Sequence, residues 1–269
     1  MKAKKILTLA AVAVLSVGLV ACGAKKDSSN DKKIVIGATP NPHAEILNEV
    51  VKPILEKDGY ELEVKVFNDY VLPNEALLDK SLDANFFQHV PYMEEYNAKN
   101  KTDITYTVKV HLEPMGVYSD KVKNILDVKD GGIVAVPNDP TNESRALKIL
   151  EKEGLIKLTE GKELLNKNDI VENKKNLVIK ELVAEQLPTA LKDVDLDVIN
   201  SNYALQAKLN PTKDAIAIES KDSPYANIIS VRTDNKDSEK IKALSKAITS
   251  PEVKKFIEEK YAGAIIPSF

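Results

Sequence analysis

An α/β fold follows from the order of patterns along the 269-residue chain, in which short apolar or alternating runs repeatedly give way to stretches with helical spacing. Residues 34–38 form an apolar run closed by Thr39-Pro40-Asn41-Pro42, the punctuation expected after a buried strand. Ile46, Leu47, Val50, Val51, Ile54 and Leu55 then recur at helical intervals, with Pro53 predicting a kink or break. Leu62, Val64 and Val66 alternate strictly, which turns one face of a second strand inward. The β-α-β order resumes with a strand over 133–136, a helix over 144–153 stopped by Gly154, and a strand over 194–199. A strand over 226–231 and helices over 238–248 and 251–261 complete the chain. Periodicity alone leaves one large sheet and two lobes with separate sheets as alternatives, and the turn at Gly131-Gly132 points to two.

Before the first strand the chain reads as an address. Lys2, Lys4 and Lys5 precede an uncharged run over 6–21, the layout of a secretory signal rather than of a membrane span of about 20 residues. Leu19-Val20-Ala21-Cys22 resembles a bacterial lipobox, so Cys22 is the expected site of lipidation, palmitate included, and the first mature residue. The stretch 22–33 has no large apolar residue and is expected to be a flexible tether. Loss of residues 1–21 removes three Lys and no acid, which takes the formal charge from −3 to −6. The folded body is therefore expected outside the cytoplasm, anchored to a bacterial membrane through lipid on Cys22.

Composition excludes several functions. With 38 basic against 41 acidic residues there is no positive field for nucleic acid. One Cys rules out an intrachain disulfide, a cysteine zinc cluster and a CxxC pair. His43, His89 and His111 are not spaced as metal ligands on one helix, and HExxH, GxSxG, GxGxxG and the Walker loop are all missing. Neither a metal nor a cofactor is expected, and the chain does not read as an enzyme.

Arginine is scarce and so informative: only Arg145 and Arg232 occur among the 38 basic residues. A guanidinium can grip a carboxylate through two parallel hydrogen bonds, which a Lys cannot copy. Arg145 follows Pro137-Asn138-Asp139-Pro140-Thr141-Asn142, in or near the first turn of a helix, where free backbone N–H groups and Asn142 suggest a carboxylate seat. The competing reading is a surface ion pair of Arg145 with Glu143 or Asp139, and residue pattern alone does not separate the two. Arg232 reads as solvated. Six of the fourteen Phe and Tyr residues lie between Phe67 and Tyr96. Of that region, Tyr70, His89 and Tyr92 fall in turns and suit the wall of a small-molecule pocket. The amides Asn200, Asn202 and Asn227 open or follow strands and can serve a zwitterion without adding charge.

Longer motifs carry a family likeness over nearly the whole chain. Phe67-Asn68-Asp69-Tyr70-Val71-Leu72-Pro73-Asn74-Glu75-Ala76-Leu77, Asp83-Ala84-Asn85-Phe86-Phe87-Gln88-His89 with Pro91-Tyr92, and Val136-Pro137-Asn138-Asp139-Pro140-Thr141-Asn142 with Arg145 closely resemble the NlpA/MetQ family of methionine-binding lipoproteins. Gln186-Leu187-Pro188, Val198-Ile199-Asn200 with Tyr203-Ala204, and Ser223-Pro224-Tyr225 with Asn227 extend the match in the same order. The resemblance implies a two-lobed periplasmic-binding-protein-like fold, with a ligand cleft between lobe I (34–114 and 229–269) and lobe II (115–228) and two crossing segments. It also implies an amino-acid-binding protein, expected to be a monomer, that serves an ABC permease and its ATPase. The implied ligand is methionine, in the L form, with D-methionine or a methionine-containing dipeptide as alternatives. Arg145 would hold the carboxylate, Asn142, Asn200 and Asn227 would be its polar neighbours, and Tyr70, Phe87, His89 and Tyr92 would line the side-chain pocket. Readings of another class are an extracellular amidase or peptidase using His89 and a surface adhesin without a small ligand.

Overall fold

The computed structural model describes residues 32–269. The expected signal (1–21), Cys22 and the tether up to residue 31 lie outside the described residues. Among the described residues, thirteen strands follow in chain order. Lobe I holds β1 (Lys33–Ala38), β2 (Glu61–Val66), β3 (Ala84–Phe86) and β4 (Thr105–Leu112), and regains the chain late for β12 (Ala226–Val231) and β13 (Ile266–Pro267). Lobe II holds β5 (Gly116–Tyr118), β6 (Ile133–Pro137), β9 (Val178–Leu182), β10 (Leu196–Ile199) and β11 (Ala217–Ile218). A small ladder of β7 (Lys157–Leu158) and β8 (Ile170–Glu172) stands apart.

The lobe I sheet has the order β13-β4-β12-β3-β1-β2, and the lobe II sheet β11-β5-β10-β6-β9. Each is mixed. β1 pairs in parallel with β2 and β3, and β6 with β9 and β10, whereas β12 and β5 run antiparallel to their neighbours. Parallel strands need crossovers, and the crossover helices cover both faces. In lobe I, Ile34, Ile36 and Phe86 pack with Ile241, Leu244, Val253 and Ile257 from the helices Glu239–Ile248 and Pro251–Tyr261. Leu77, Leu82, Met93, Ile104 and Ile228 form the second layer. In lobe II, Val134, Val136 and Val198 pack with Leu147 and Leu150 of the helix Pro140–Lys152, while Leu187, Leu191 and Tyr203 belong to the opposite layer.

Several local expectations shift by a few residues, each for a visible reason. The helix expected over 144–153 begins at Pro140, because the Asp139 carboxylate accepts the Asn142 N–H at 2.9 Å and caps it. Gly154 follows its end at φ +79°. Pro53 sits at the start of the helix Lys52–Lys57, just after a wider helical turn at Leu47–Val51, so it divides the element as expected. The alternation in β2 buries Leu62 but leaves Val66 54% exposed, because β2 is an edge strand. Gly131-Gly132 does not separate lobes. It turns the chain into β6 within lobe II, and the crossings lie instead between β4 and β5, through Glu113-Pro114-Met115, and between β11 and β12. Residue 228, where lobe II was expected to end, falls inside β12, whose Ala226 and Asn227 already pair with Leu112 and His111 of β4. Arg232 is not solvated: its Nη1 donates to the carbonyls of Leu77 and Leu82 at 2.9 and 2.6 Å, tying the end of β12 to a lobe I turn.

Candidate ligand-binding site

Between the lobes lies a narrow cavity with about 20 Å³ of free space. It brings together all eight residues singled out as ligand contacts: Tyr70, Phe87, His89 and Tyr92 from lobe I, Asn142, Arg145 and Asn200 from lobe II, and Asn227 from β12. Gln88, Glu113, Ser201 and Asn202 complete the lining.

The lobe I wall is aromatic. The centroids of Tyr70, Phe87 and Tyr92 stand 5.9 to 6.0 Å apart, and the Tyr92 hydroxyl donates to the Tyr70 carbonyl at 2.9 Å. Burial raises the Tyr70 and Tyr92 phenols above their ordinary range, so both keep their protons. The Phe87-Gln88-His89 segment is held by Gln88, whose amide is bonded to Asn74, Asn85 and Ser230. His89 caps the helix Val90–Asn100: its Nδ1 accepts the Tyr92 N–H at 3.1 Å. That assigns the ring proton to Nε2, which donates to Asn142 Oδ1 across the cleft at 3.3 Å. Burial, aided by the Arg145 charge, lowers the His89 pKa to about 3, so it is a neutral donor.

The lobe II wall is polar and charged. Arg145 is the sixth residue of its helix, in the second turn rather than the first, and is only 3% exposed. The helix start does not offer an open carboxylate seat, since Asp139 fills it. Neither Glu143 nor Asp139 pairs with Arg145. Its Nε and Nη2 instead form a fork with the Glu219 carboxylate, with Nε to Oε1 at 2.7 Å, and Nη2 also donates to the Glu113 carbonyl at 2.6 Å. Tyr225 lies under the guanidinium at 4.6 Å. Burial disfavours the Arg145 charge, but Glu219 outweighs it and holds the pKa above the ordinary value. The two-pronged grip expected of Arg145 is thus used inside the protein, and Nη1 makes no hydrogen bond among the described residues. Asn142 donates to both Asp139 oxygens and accepts from Asn200 Nδ2 at 3.0 Å and from His89.

Other contacts join the lobes directly. The Tyr70 hydroxyl donates to Asn202 Oδ1 at 2.6 Å, and the Tyr203 hydroxyl to the Asn68 carbonyl at 3.0 Å. Asn202, which the family resemblance did not place among the contacts, is therefore part of the wall. Sequence reasoning also missed a buried group behind Asn227. Glu113 Oε1 lies 2.7 Å from His111 Nε2 and 3.0 Å from His43 Nε2, and His43 Nε2 lies 3.1 Å from Asn227 Oδ1. Tetrahedral zinc, with bonds of about 2.0–2.2 Å, would hold such ligands roughly 3.3 Å apart. The spacing here is that of hydrogen bonds.

A family model described as NlpA lipoprotein matches residues 34–269. The chain belongs to the NlpA lipoprotein family. Among its relatives, the methionine-binding lipoprotein MetQ of Bacillus subtilis is 45% identical over 272 residues, with 98% of each chain covered. The D-methionine-binding lipoprotein MetQ of Escherichia coli K12 is 44% identical, over 97% of this chain and 98% of its own. Among solved structures, a nutrient binding protein from Burkholderia cenocepacia bound to methionine aligns with a TM-score of 0.86 at 47% identity, covering 88% of this chain and 100% of that one. The NlpA lipoprotein fold is thus shared across the whole described body, both lobes included. No helix of the described residues is long and apolar enough to cross a membrane.

Proposed function

We propose that this NlpA lipoprotein binds methionine in the interlobe cavity and delivers it, as a monomer, to an ABC importer made of a membrane permease and an ATPase. Lipid on Cys22 holds it outside the cytoplasm on a bacterial membrane. One observation carries the reading: a cavity between the lobes places a buried arginine and asparagine amides opposite a wall of three rings. The ligand carboxylate meets Arg145 Nη1 and its charge, and the thioether meets Tyr70, Phe87 and Tyr92, where sulfur–ring contacts are each worth about 0.3–1.5 kcal/mol. The relatives' names and the methionine-bound neighbour support the same ligand.

Ligand touching both walls favours the closed form, which is the state a transporter can read. The L form is the first choice. D-methionine is the second, favoured by the name of the Escherichia coli relative. Replacing Arg145 with Ala is expected to weaken methionine binding by roughly 2–5 kcal/mol, measured calorimetrically. Unchanged affinity would remove Arg145 from the site. Native mass spectrometry of freshly purified protein separates the remaining readings: a bound mass of methionine supports this one, a dipeptide mass redirects it, and a bare chain with every amino acid tried favours an adhesin. Cleavage of methionyl peptides would instead indicate an enzyme.

A further inference from the structure

The buried group behind Asn227 has the form of a holder. Glu113 sits on the first crossing segment, 5% exposed, and both imidazole Nε2 atoms converge on one of its oxygens, Oε1. Glu113 lines the cavity, and its side-chain contacts among the described residues are all made through Oε1. The tautomers follow from the partners. His43 Nε2 faces two acceptors, Glu113 Oε1 and Asn227 Oδ1, so it carries the proton, and His43 Nδ1 accepts from the Thr39 hydroxyl at 2.7 Å. His111 Nε2 donates to Glu113, while its buried Nδ1 has no partner and is best left as a bare lone pair. Both rings are locked by packing: His43 meets Phe86 edge-on at 4.5 Å, and His111 lies 5.1 Å from His43 and 5.2 Å from Phe86.

Charge gives the holder its purpose. Arg145 already has Glu219, and Glu113 is the one carboxylate of the cavity lining. Burial works against its ionisation, but the histidine contacts outweigh this and keep its pKa below the ordinary range. A buried carboxylate that lines a cavity, with one oxygen pinned and the other without a partner, is a receiver for a cation. His43 also fixes Asn227 Oδ1, which leaves the Asn227 amide nitrogen as a neighbouring donor.

We propose that His43 and His111 are positioning residues that present Glu113 to the ligand's α-ammonium group, making a free, protonated α-amine a requirement of the site. The inference rests on the amino-acid reading of the cavity and deepens it by naming what recognises the amine. A site with a buried polar group built for the ligand rejects an analogue lacking the matching group far more strongly than an apolar pocket rejects a missing methylene.

The test is the ratio of two affinities measured by calorimetry: methionine against 4-(methylthio)butanoate, which keeps the carboxylate and thioether and lacks the amine. Wild type is expected to prefer methionine by about 10³-fold or more. In His111→Leu the ratio is expected to fall at least about tenfold with binding of the amine-free acid little changed, whereas His111→Gln, whose amide nitrogen can reach Oε1, restores it. A general loss of structure would weaken both ligands together and leave the ratio alone. Should His111→Leu fail to fold, His111→Asn, which keeps a polar group but withdraws the donor from Oε1, replaces it. A wild-type ratio near one, or an unchanged ratio in His111→Leu or His111→Asn, overturns the proposal while methionine still binds. Wild type that binds neither compound refutes the amino-acid reading itself.

Discussion

Two buried acids, one at the crossing between lobes and one inside lobe II, show how differently the same fold treats a carboxyl group. Glu113 receives two imidazole donors and is held ionised. Asp197, on β10 opposite Tyr118 of β5, has no hydrogen-bond partner for either oxygen, and burial alone pushes its pKa up to about 8. Both are at most 5% exposed. Depth therefore does not set charge; the donors brought to the group do. The partnered acid faces the cavity, where a fixed charge is useful, and the unpartnered one sits in the sheet of lobe II and stays protonated.

The largest test of this contrast is Asp197→Asn. The folded pKa lies above the unfolded value of about 3.9, so the unfolded chain releases a proton that the folded one keeps, and wild-type stability falls as pH rises from about 4 to 8. The variant lacks that loss. Urea unfolding at pH 5 and pH 9 should show its advantage over wild type growing by on the order of 4 kcal/mol, and parallel curves would mean that Asp197 finds partners in solution. Glu113→Gln should act with the opposite sign. A depressed folded pKa contributes stability above the unfolded value of about 4.3 that is lost on acidification, so this variant should be less stable by about 2 kcal/mol at pH 7, with the gap closing toward pH 3.

Smaller effects sharpen the same contrast between polar and apolar walls. Phe87→Leu keeps an apolar surface but removes a ring, so methionine binding should weaken by about 1 kcal/mol while norleucine, which has no sulfur, changes less. Equal losses for the two ligands would mean that the wall reads shape rather than sulfur. Tyr203→Phe removes only the hydroxyl that bridges to the Asn68 carbonyl. Its expected effect is the smallest, about 0.5–1 kcal/mol against the closed form, visible as a larger radius of gyration without ligand and a modest drop in affinity.

The elements were largely legible in the residues because they depend on neighbours. Asp139-Pro140 marks a helix start, Gly154 a stop, and the runs beginning at residues 34 and 133 are strands by apolar pattern. The cavity residues were legible in a different way. Phe87 was reached only through long motifs of the family, and Tyr70, Asn200 and Asn227, already candidates by pattern, gained definite roles there, since a single ring or amide in the pattern reads equally well as core or turn. Arg232 shows the limit: acidic and polar neighbours in sequence suggested solvent, yet its guanidinium binds carbonyls about 150 positions away.

By itself the sequence determined the α/β alternation, the basic and uncharged N-terminal stretch ending at Cys22, and the scarcity of arginine that drew attention to Arg145. These rest on local propensity, composition and period, which need no partner to be read. Only the tertiary structure decided that the Arg145 fork belongs to Glu219, that β12 returns to lobe I, and that His43 and His111 meet on Glu113. Such pairings join groups far apart in the chain, 74 positions in the case of Arg145 and Glu219, and their energy depends on burial and exact donor geometry, quantities that exist only once the two sheets have brought the chain together.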